Sequence, residues 1–331
     1  MHSMMNIIKN KKIPFFISGL LFIASVVLIL TIGLKPGIDF TGGSLLELTF
    51  SQNRPALQDM QMAVDTLNIG SAVVQPADED GYIIKMQFLG ETEHQEVLRG
   101  IRTYFNAEGG QATEVVETSE GITIGIAQGG DTEPTQRILE DRFETIGPSI
   151  SSELQARSWE AGIAVMIAIV LFVAYSFRKV TKPVSSWKYG MTAIIALVHD
   201  VVITMGVFVL LGHFYGIEID IPFVVAMLTI LGYSVNDTIV VFDRIREKLI
   251  REGRNAFAQT VNNGVVETIP RSINTSLTTL LVLVALFIFG GMSIHYFALA
   301  LIIGIALGTY SSIFLASPLL VVWEQAGRRK V

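Results

Sequence analysis

Long apolar stretches alternate with short polar ones along most of this chain. Residues 14–34 form an uncharged run of 21 residues, flanked by Lys11-Lys12 and by Lys35-Pro36-Gly37. Further apolar runs occupy about 159–177, 190–211, 221–242, 271–289 and 296–322. A helix rises 1.5 Å per residue, so about 20 apolar residues cross a hydrocarbon core of about 30 Å. The pattern predicts six membrane-spanning helices. The first run exceeds the apolar core of a secretion signal and lacks a small-residue cleavage site, so it reads as a retained span.

Residues 35–158 follow other periods. Residues 45–50 read as a strand, and 82–88 alternate Tyr82, Ile84, Met86 and Phe88 on one face. Residues 56–68 place Leu57, Met60, Val64 and Leu67 at helical spacing, and 92–105 do the same with Val97, Leu98, Ile101 and Phe105. Residues 114–126 are β-branched and broken at Ser119-Glu120-Gly121, a hairpin pattern. Residues 132–158 read as a helix interrupted at Gly147-Pro148 that leads into the second span. Two helices alternating with strands predict a small α+β sandwich of ferredoxin-like type between the first and second spans.

Charge orients this plan. Residues 35–158 hold 20 Asp/Glu against 8 Lys/Arg, whereas the remainder holds 10 against 16. The basic residues flank one set of span ends: Lys9, Lys11 and Lys12; Arg178, Lys179, Lys182 and Lys188; Arg244, Arg246, Lys248, Arg251 and Arg254; Arg328, Arg329 and Lys330. The loops 212–220 and 290–295 at the opposite ends contain no Lys or Arg. By the positive-inside rule both termini are cytoplasmic and residues 35–158 are exported. Half of the residues are hydrophobic, 16% are charged, and the mean hydropathy is +0.52, which fits a polytopic membrane protein. With no cysteine there is no disulfide, thiolate metal site or cysteine nucleophile. The basic residues lack the aromatic interleaving of a nucleic-acid surface.

Polar residues inside the apolar runs are the candidate chemistry. A carboxylate in a span costs about 2.5–3.5 kcal/mol on insertion scales and marks a functional site by default. His199 and Asp200 lie near the middle of the third run. In the fourth, Thr229, Tyr233, Asn236 and Asp237 recur at i, i+4, i+7 and i+8, a polar face expected to turn into the bundle. In the fifth, Arg271, Thr275, Thr278 and Thr279 form a matching stripe with Asn274 beside it. An inward arginine and an inward carboxylate are natural partners. Protonating Asp237 would release Arg271, a two-state switch, while a permanent ion pair with hydroxyl glue fits the spacing equally. In the sixth, Ala300, Gly304, Gly308 and Ser312 put a small residue at every fourth position, a close-packing face. An aspartyl intramembrane protease would show Gly-x-Gly-Asp, but the residues leading into Asp237 are Gly232-Tyr-Ser-Val-Asn. No HExxH, Walker-type phosphate loop or Gly-x-Ser-x-Gly occurs, so no catalytic residue and no metal site is expected.

Several stretches resemble one family. They are Gly37-Ile-Asp39-Phe-Thr-Gly42-Gly43, Ala196-Leu-Val-His-Asp200, the run from Leu228 through Asn236-Asp237 to Glu247, Glu267-Thr-Ile-Pro-Arg271-Ser-Ile-Asn-Thr275, and Gly308-Thr-Tyr-Ser-Ser-Ile-Phe314. In this order and spacing they resemble the SecD/SecF family of protein-export membrane proteins, on its SecF side, within the resistance-nodulation-division superfamily. The resemblance implies that the six spans form one half of a pseudo-symmetric bundle and that SecD supplies the other. It implies partners in the SecYEG translocon, with auxiliary subunits such as YajC and YidC, a translocating preprotein, lipid, and location in the bacterial inner membrane. It implies an ion path at Asp237 and Arg271 and no cofactor beyond the transported H+ or Na+. A non-conducting scaffold for SecD and a lipid or small-molecule exporter half are the alternatives.

Overall fold

The computed structural model describes residues 6–51, 54–77, 79–105, 108–109, 114–118, 121–125, 137–177, 184–252 and 256–328. The basic residues Arg178, Lys179, Lys182, Arg254, Arg329 and Lys330 of the topology argument lie outside them. The chain divides into a helical unit, residues 1–36 with 156–331, and an α+β unit, residues 37–155.

The α+β unit starts at a one-turn helix, α2 (Ile38–Thr41), and passes through Gly42 into β1 (Gly43–Phe50). It continues with α3 (Leu57–Thr66), β2 (Val73–Ala77), β3 (Gly81–Met86), α4 (Glu91–Tyr104), a two-residue β4 (Glu108–Gly109), the hairpin β5 (Glu114–Thr118) and β6 (Gly121–Gly125), and β7 (Arg137–Ile146). The larger sheet has the order β2-β3-β1-β7-β4. Without the hairpin and β4 this is a βαββαβ unit with β1 and β3 central, as the ferredoxin-like expectation requires. Leu46, Leu48 and Phe50 of β1 are buried with Met60, Ile84 and Ile101. Glu93 accepts a hydrogen bond from the Gly90 N–H at 2.8 Å and so caps α4.

Gly42 and Gly43 make the entry into the sheet. Gly42 has φ +72° and Gly43 φ +129°, and a Cβ on Gly43 would lie 2.7 Å from the Met86 carbonyl oxygen. A side chain there meets both a forbidden backbone conformation and a fixed backbone atom of the paired strand. Asp39 is half-buried in the first turn of α2.

Residues 137–146 correct the sequence reading. They form a strand and not a helix, antiparallel to β1 from Gly43↔Ile146 to Phe50↔Ile138, with a bulge between Glu47 and Leu48. Ile138, Leu139, Phe143 and Ile146 suit a helical stripe locally, but pairing along the whole of β1 buries Ile138 and packs Phe143 on the core. Tertiary pairing overrides local pattern here. The helix starts only at Pro148, a favoured first helical residue, and α5 (Pro148–Phe177) then runs without interruption. The rest of that reading, residues 132–136, lies outside the described residues.

Among the described residues six helices are long and apolar enough to cross a membrane. They are α1 (Lys12–Thr31), α5, α6 (Ser186–Tyr215), α7 (Ile221–Glu252), α8 (Phe257–Phe289) and a sixth made of α9 (Met292–Ser311), a π-helical segment (Ser312–Ala316) and α10 (Ser317–Arg328). Within the segment 243–270, α7 continues to Glu252 and α8 starts at Phe257, and Arg244 and Lys248 tie the two to each other through Glu267. α6, α7 and the sixth helix form the centre, while α1, α5 and α8 bury little of their most apolar stretches. The sixth helix lies against α7 along its small-residue face: a Cβ on Gly304 would fall 2.2 Å from Ile230 Cδ1, and one on Gly308 3.1 Å from Ser234 Cβ. Ser25 of α1 approaches Gly206 of α6 in the same manner.

Candidate functional site: two buried aspartates held by serines

Close packing of α7 on α8 and on the sixth helix brings four hydroxyls from these three helices onto two carboxylates. Asp200, on α6, has no exposed surface. Its Oδ2 accepts from Ser234 Oγ of α7 at 2.6 Å and from Ser311 Oγ of α9 at 2.7 Å. Its Oδ1 lies 2.9 Å from His199 Nδ1. The two adjacent side chains on α6 therefore bond each other, and the His199 ring stacks on Phe22 of α1 at an interplanar angle of 5°.

Asp237, on α7, is 8% exposed. Its Oδ1 accepts from Ser272 Oγ of α8 at 2.7 Å, and its Oδ2 from Ser312 Oγ at the start of the π-segment. Both serines sit at helix irregularities. Pro270, two residues before Ser272, has no N–H and leaves the Val266 carbonyl without its helical donor. The π-segment interrupts the sixth helix at Ser312, and such single-turn segments concentrate at functional sites. One turn along the same seam, Tyr233 donates to Ser276 Oγ, which is bonded to Thr309.

The remaining polar residues of the spans are placed differently from expectation. Arg271, Asn274, Thr275 and Thr278 are exposed on α8 and Thr279 is half-buried there, while the side chain that α8 gives to Asp237 is Ser272. Among the described residues no ion pair joins Arg271 to Asp237, and the inward stripe of α8 is Ser272 and Ser276. On α7 the predicted face is split: Asp237 is buried and Tyr233 half-buried, but Thr229 and Asn236 are exposed. Adjacent residues on a helix point about 100° apart, so a polar patch one residue wider than one face spills onto the next. Sequence reasoning overlooked Ser234, Ser272 and Ser311, and read Ser312 only as part of a packing face. Serines in spans are ordinary helix glue; the available signal was that Ser311-Ser312 are adjacent and that Ser234 and Ser272 stand near Asp237 and Arg271.

A model described as "Protein export membrane protein SecD/SecF, C-terminal" matches residues 131–326, and one described as "SecD/SecF GG Motif" matches residues 27–53. The chain belongs to the SecD/SecF family. The second match contains Gly42 and Gly43, both at positive φ, with Gly43 also against the Met86 carbonyl of β3. A protein translocase subunit SecF of Thermobaculum terrenum is 36% identical over 329 residues, covering 97% of this chain and 94% of that one. A SecF of Vibrio alginolyticus is 37% identical over 309 residues, covering 93% and 86%. A crystal structure of SecDF from Thermus thermophilus, described as a translocon-associated membrane protein, superposes with a TM-score of 0.76 at 29% identity. This chain is covered to 98% but spans only 39% of that SecDF chain. These relatives make this chain a SecF-type, multi-pass membrane subunit of the Sec translocase, with a role in transport.

Proposed function

We propose that this chain pairs with SecD in one complex, and that H+ or Na+ moving down its gradient through that complex drives preprotein movement. The observation that carries the reading is Asp237: a carboxylate inside the spanning bundle whose bonded partners are hydroxyls. A hydroxyl donates to a carboxylate and accepts from a carboxylic acid, so this site is hydrogen-bonded in both charge states. One elementary charge crossing 100 mV supplies about 2.3 kcal/mol.

Arg271 enters as the second state. It stands beside Ser272 on α8, about 100° around the axis. A turn of α8 exchanges the serine for the arginine at Asp237. Arg271→Leu is therefore expected to eliminate gradient-stimulated export, while Arg271→Lys, which keeps the charge, retains part of it. Export assays in vesicles check this, and wild-type stimulation in Arg271→Leu contradicts the pairing.

The SecDF chain is more than twice as long as this one, which leaves room there for a second membrane half. The exposed polar stripes of α7 and α8 at Asn236, Arg271 and Thr275 are unsuited to lipid and suit a covering SecD half. The same reading puts residues 35–158 on the outer side of the bacterial inner membrane with both termini inside. It places the SecYEG translocon, YajC and YidC among the neighbours, and it requires no organic cofactor. The test is export in proteoliposomes holding this chain, SecD and the translocon. Export should rise when an ion gradient is imposed and fall to the basal rate when an ionophore collapses it. Equal rates with and without the gradient contradict the proposal.

A further inference from the structure

We infer that His199 and Asp200 form a second proton-holding site, coupled to Asp237 through the adjacent hydroxyls of Ser311 and Ser312. The inference rests on the ion-coupling reading of the bundle and adds a station to it.

Three observations meet here. First, neighbouring residues of one helix divide between two carboxylates: Ser311 bonds Asp200 on α6 and Ser312 bonds Asp237 on α7. Second, each of these serines has another acceptor in its own helix. Ser311 Oγ is 3.2 Å from the Gly308 carbonyl oxygen, and Ser312 Oγ is 3.0 Å from that of Thr309. A serine has one proton to donate, so it chooses between carboxylate and carbonyl. When Asp200 takes up a proton on Oδ2, that oxygen becomes a donor to Ser311 Oγ, and the Ser311 proton turns to Gly308. One proton is added, no covalent bond breaks, and every hydroxyl stays bonded. The same exchange operates at Asp237 through Ser312 and Thr309. Third, His199 Nε2 is buried with no hydrogen-bond partner among the described residues. A buried unpaired ring nitrogen calls for an explanation. With Nδ1 committed to Asp200, Nε2 is an unfilled position at which the dyad can gain or lose a proton.

The surroundings isolate this exchange. α1 presents the Phe22 ring to His199 and carries no Asp, Glu, Lys, Arg, His or Tyr between Ile13 and Thr31. The spanning part of α7 contributes Tyr233 and Asp237. α9 contributes Tyr310, whose hydroxyl is bonded to Ser18 and to the Pro14 carbonyl, and His295 and Tyr296, a few residues from its far end. The π-segment carries no titratable side chain, and Glu324 of α10 is bonded to Lys188 at 2.8 Å. Asp237 is thus the titratable partner that the serine pair offers to the dyad. Because Ser311 and Ser312 share a peptide at the onset of the π-segment, a change at either carboxylate is transmitted to the backbone that holds the other.

The test is pH-dependent infrared difference spectroscopy on the complex of this chain with SecD in lipid nanodiscs, reading the protonated carboxyl stretch. The wild type should show two titrating signals, one absent in Asp200→Asn and the other in Asp237→Asn. Asp200→Asn should displace the midpoint of the Asp237 signal by about one pH unit, the scale at which two sites titrate as a pair. Ser311→Ala should displace the Asp200 midpoint. His199→Gln, which removes the ring and spares the carboxylate, should do the same and stands in if Asp200→Asn fails to assemble. A merely structural role for the dyad leaves these midpoints in place. An Asp237 midpoint unmoved in Asp200→Asn, or an Asp200 signal unmoved in His199→Gln, overturns the inference. Export by Asp237→Asn separates the two readings: unimpaired gradient stimulation there removes the coupling reading, whereas lost stimulation with unmoved midpoints removes only the dyad.

Discussion

Asp237→Asn is expected to leave the complex with SecD assembled and to abolish gradient-stimulated export. Asparagine has nearly the shape of aspartate. Its carbonyl oxygen accepts from one of Ser272 and Ser312, and its amide donates to the other once that hydroxyl turns away. The loss in packing and hydrogen bonding is about 1 kcal/mol, the net worth of one such bond. The loss in function is complete, because asparagine neither binds nor releases a proton and offers no charge to a metal ion. This separates coupling from scaffolding. If the buried polar groups serve only as glue between helices, export and co-purification with SecD fall together and in proportion. If they couple an ion, co-purification stays at the wild-type level and export drops to the rate seen without a gradient.

Gly304→Leu is expected to prevent accumulation of folded protein. A first carbon at position 304 already lies 2.2 Å from Ile230 Cδ1 and 2.4 Å from Cγ1, and leucine adds three more. Overpacking a filled core costs about 1–3 kcal/mol where neighbours can shift. Here Ile230 is itself fully buried, so the relief available is separation of α7 from α9. That separation also carries Ser311 and Ser312 away from Asp200 and Asp237. Gly304→Ala is expected to be milder, with a reduced unfolding temperature for the detergent-solubilised protein. Leu281→Ala, at an exposed position of α8, is the comparison, and equal yields of Gly304→Leu and Leu281→Ala would contradict a close-packing role for the glycine.

The spans were legible because each is a near-uncharged run of about 20 residues, and nothing else satisfies the backbone of such a run in a bilayer. The βαββαβ core was largely legible because Tyr82–Met86 alternate and the two helices keep a 3.6-residue period. β2 was not read, and β7 was read as helix, because both depend on nonlocal pairing that leaves little trace in short segments. In the site, residue type was easier to read than direction. Asp237 and Asp200 announced themselves by the cost of a carboxylate in a span. Which neighbours met them did not follow, since Arg271 and Ser272 differ by a single step around α8. The assumption that all polar residues face one chain's interior fails when the chain presents a second polar surface. Asn236, Arg271 and Thr275 lie on that surface. The serines carry no charge and were indistinguishable in the sequence from packing residues until α6, α7, α8 and the sixth helix were brought together.

The central claim is that an ion passes through this bundle by way of Asp237. Its most direct test is ion flux into liposomes that contain the purified complex of this chain with SecD, with the pH and sodium gradients imposed independently. The account predicts flux driven by one of the two gradients in the wild type and none above the protein-free leak in Asp237→Asn. Equal flux in the wild type and in Asp237→Asn would contradict it.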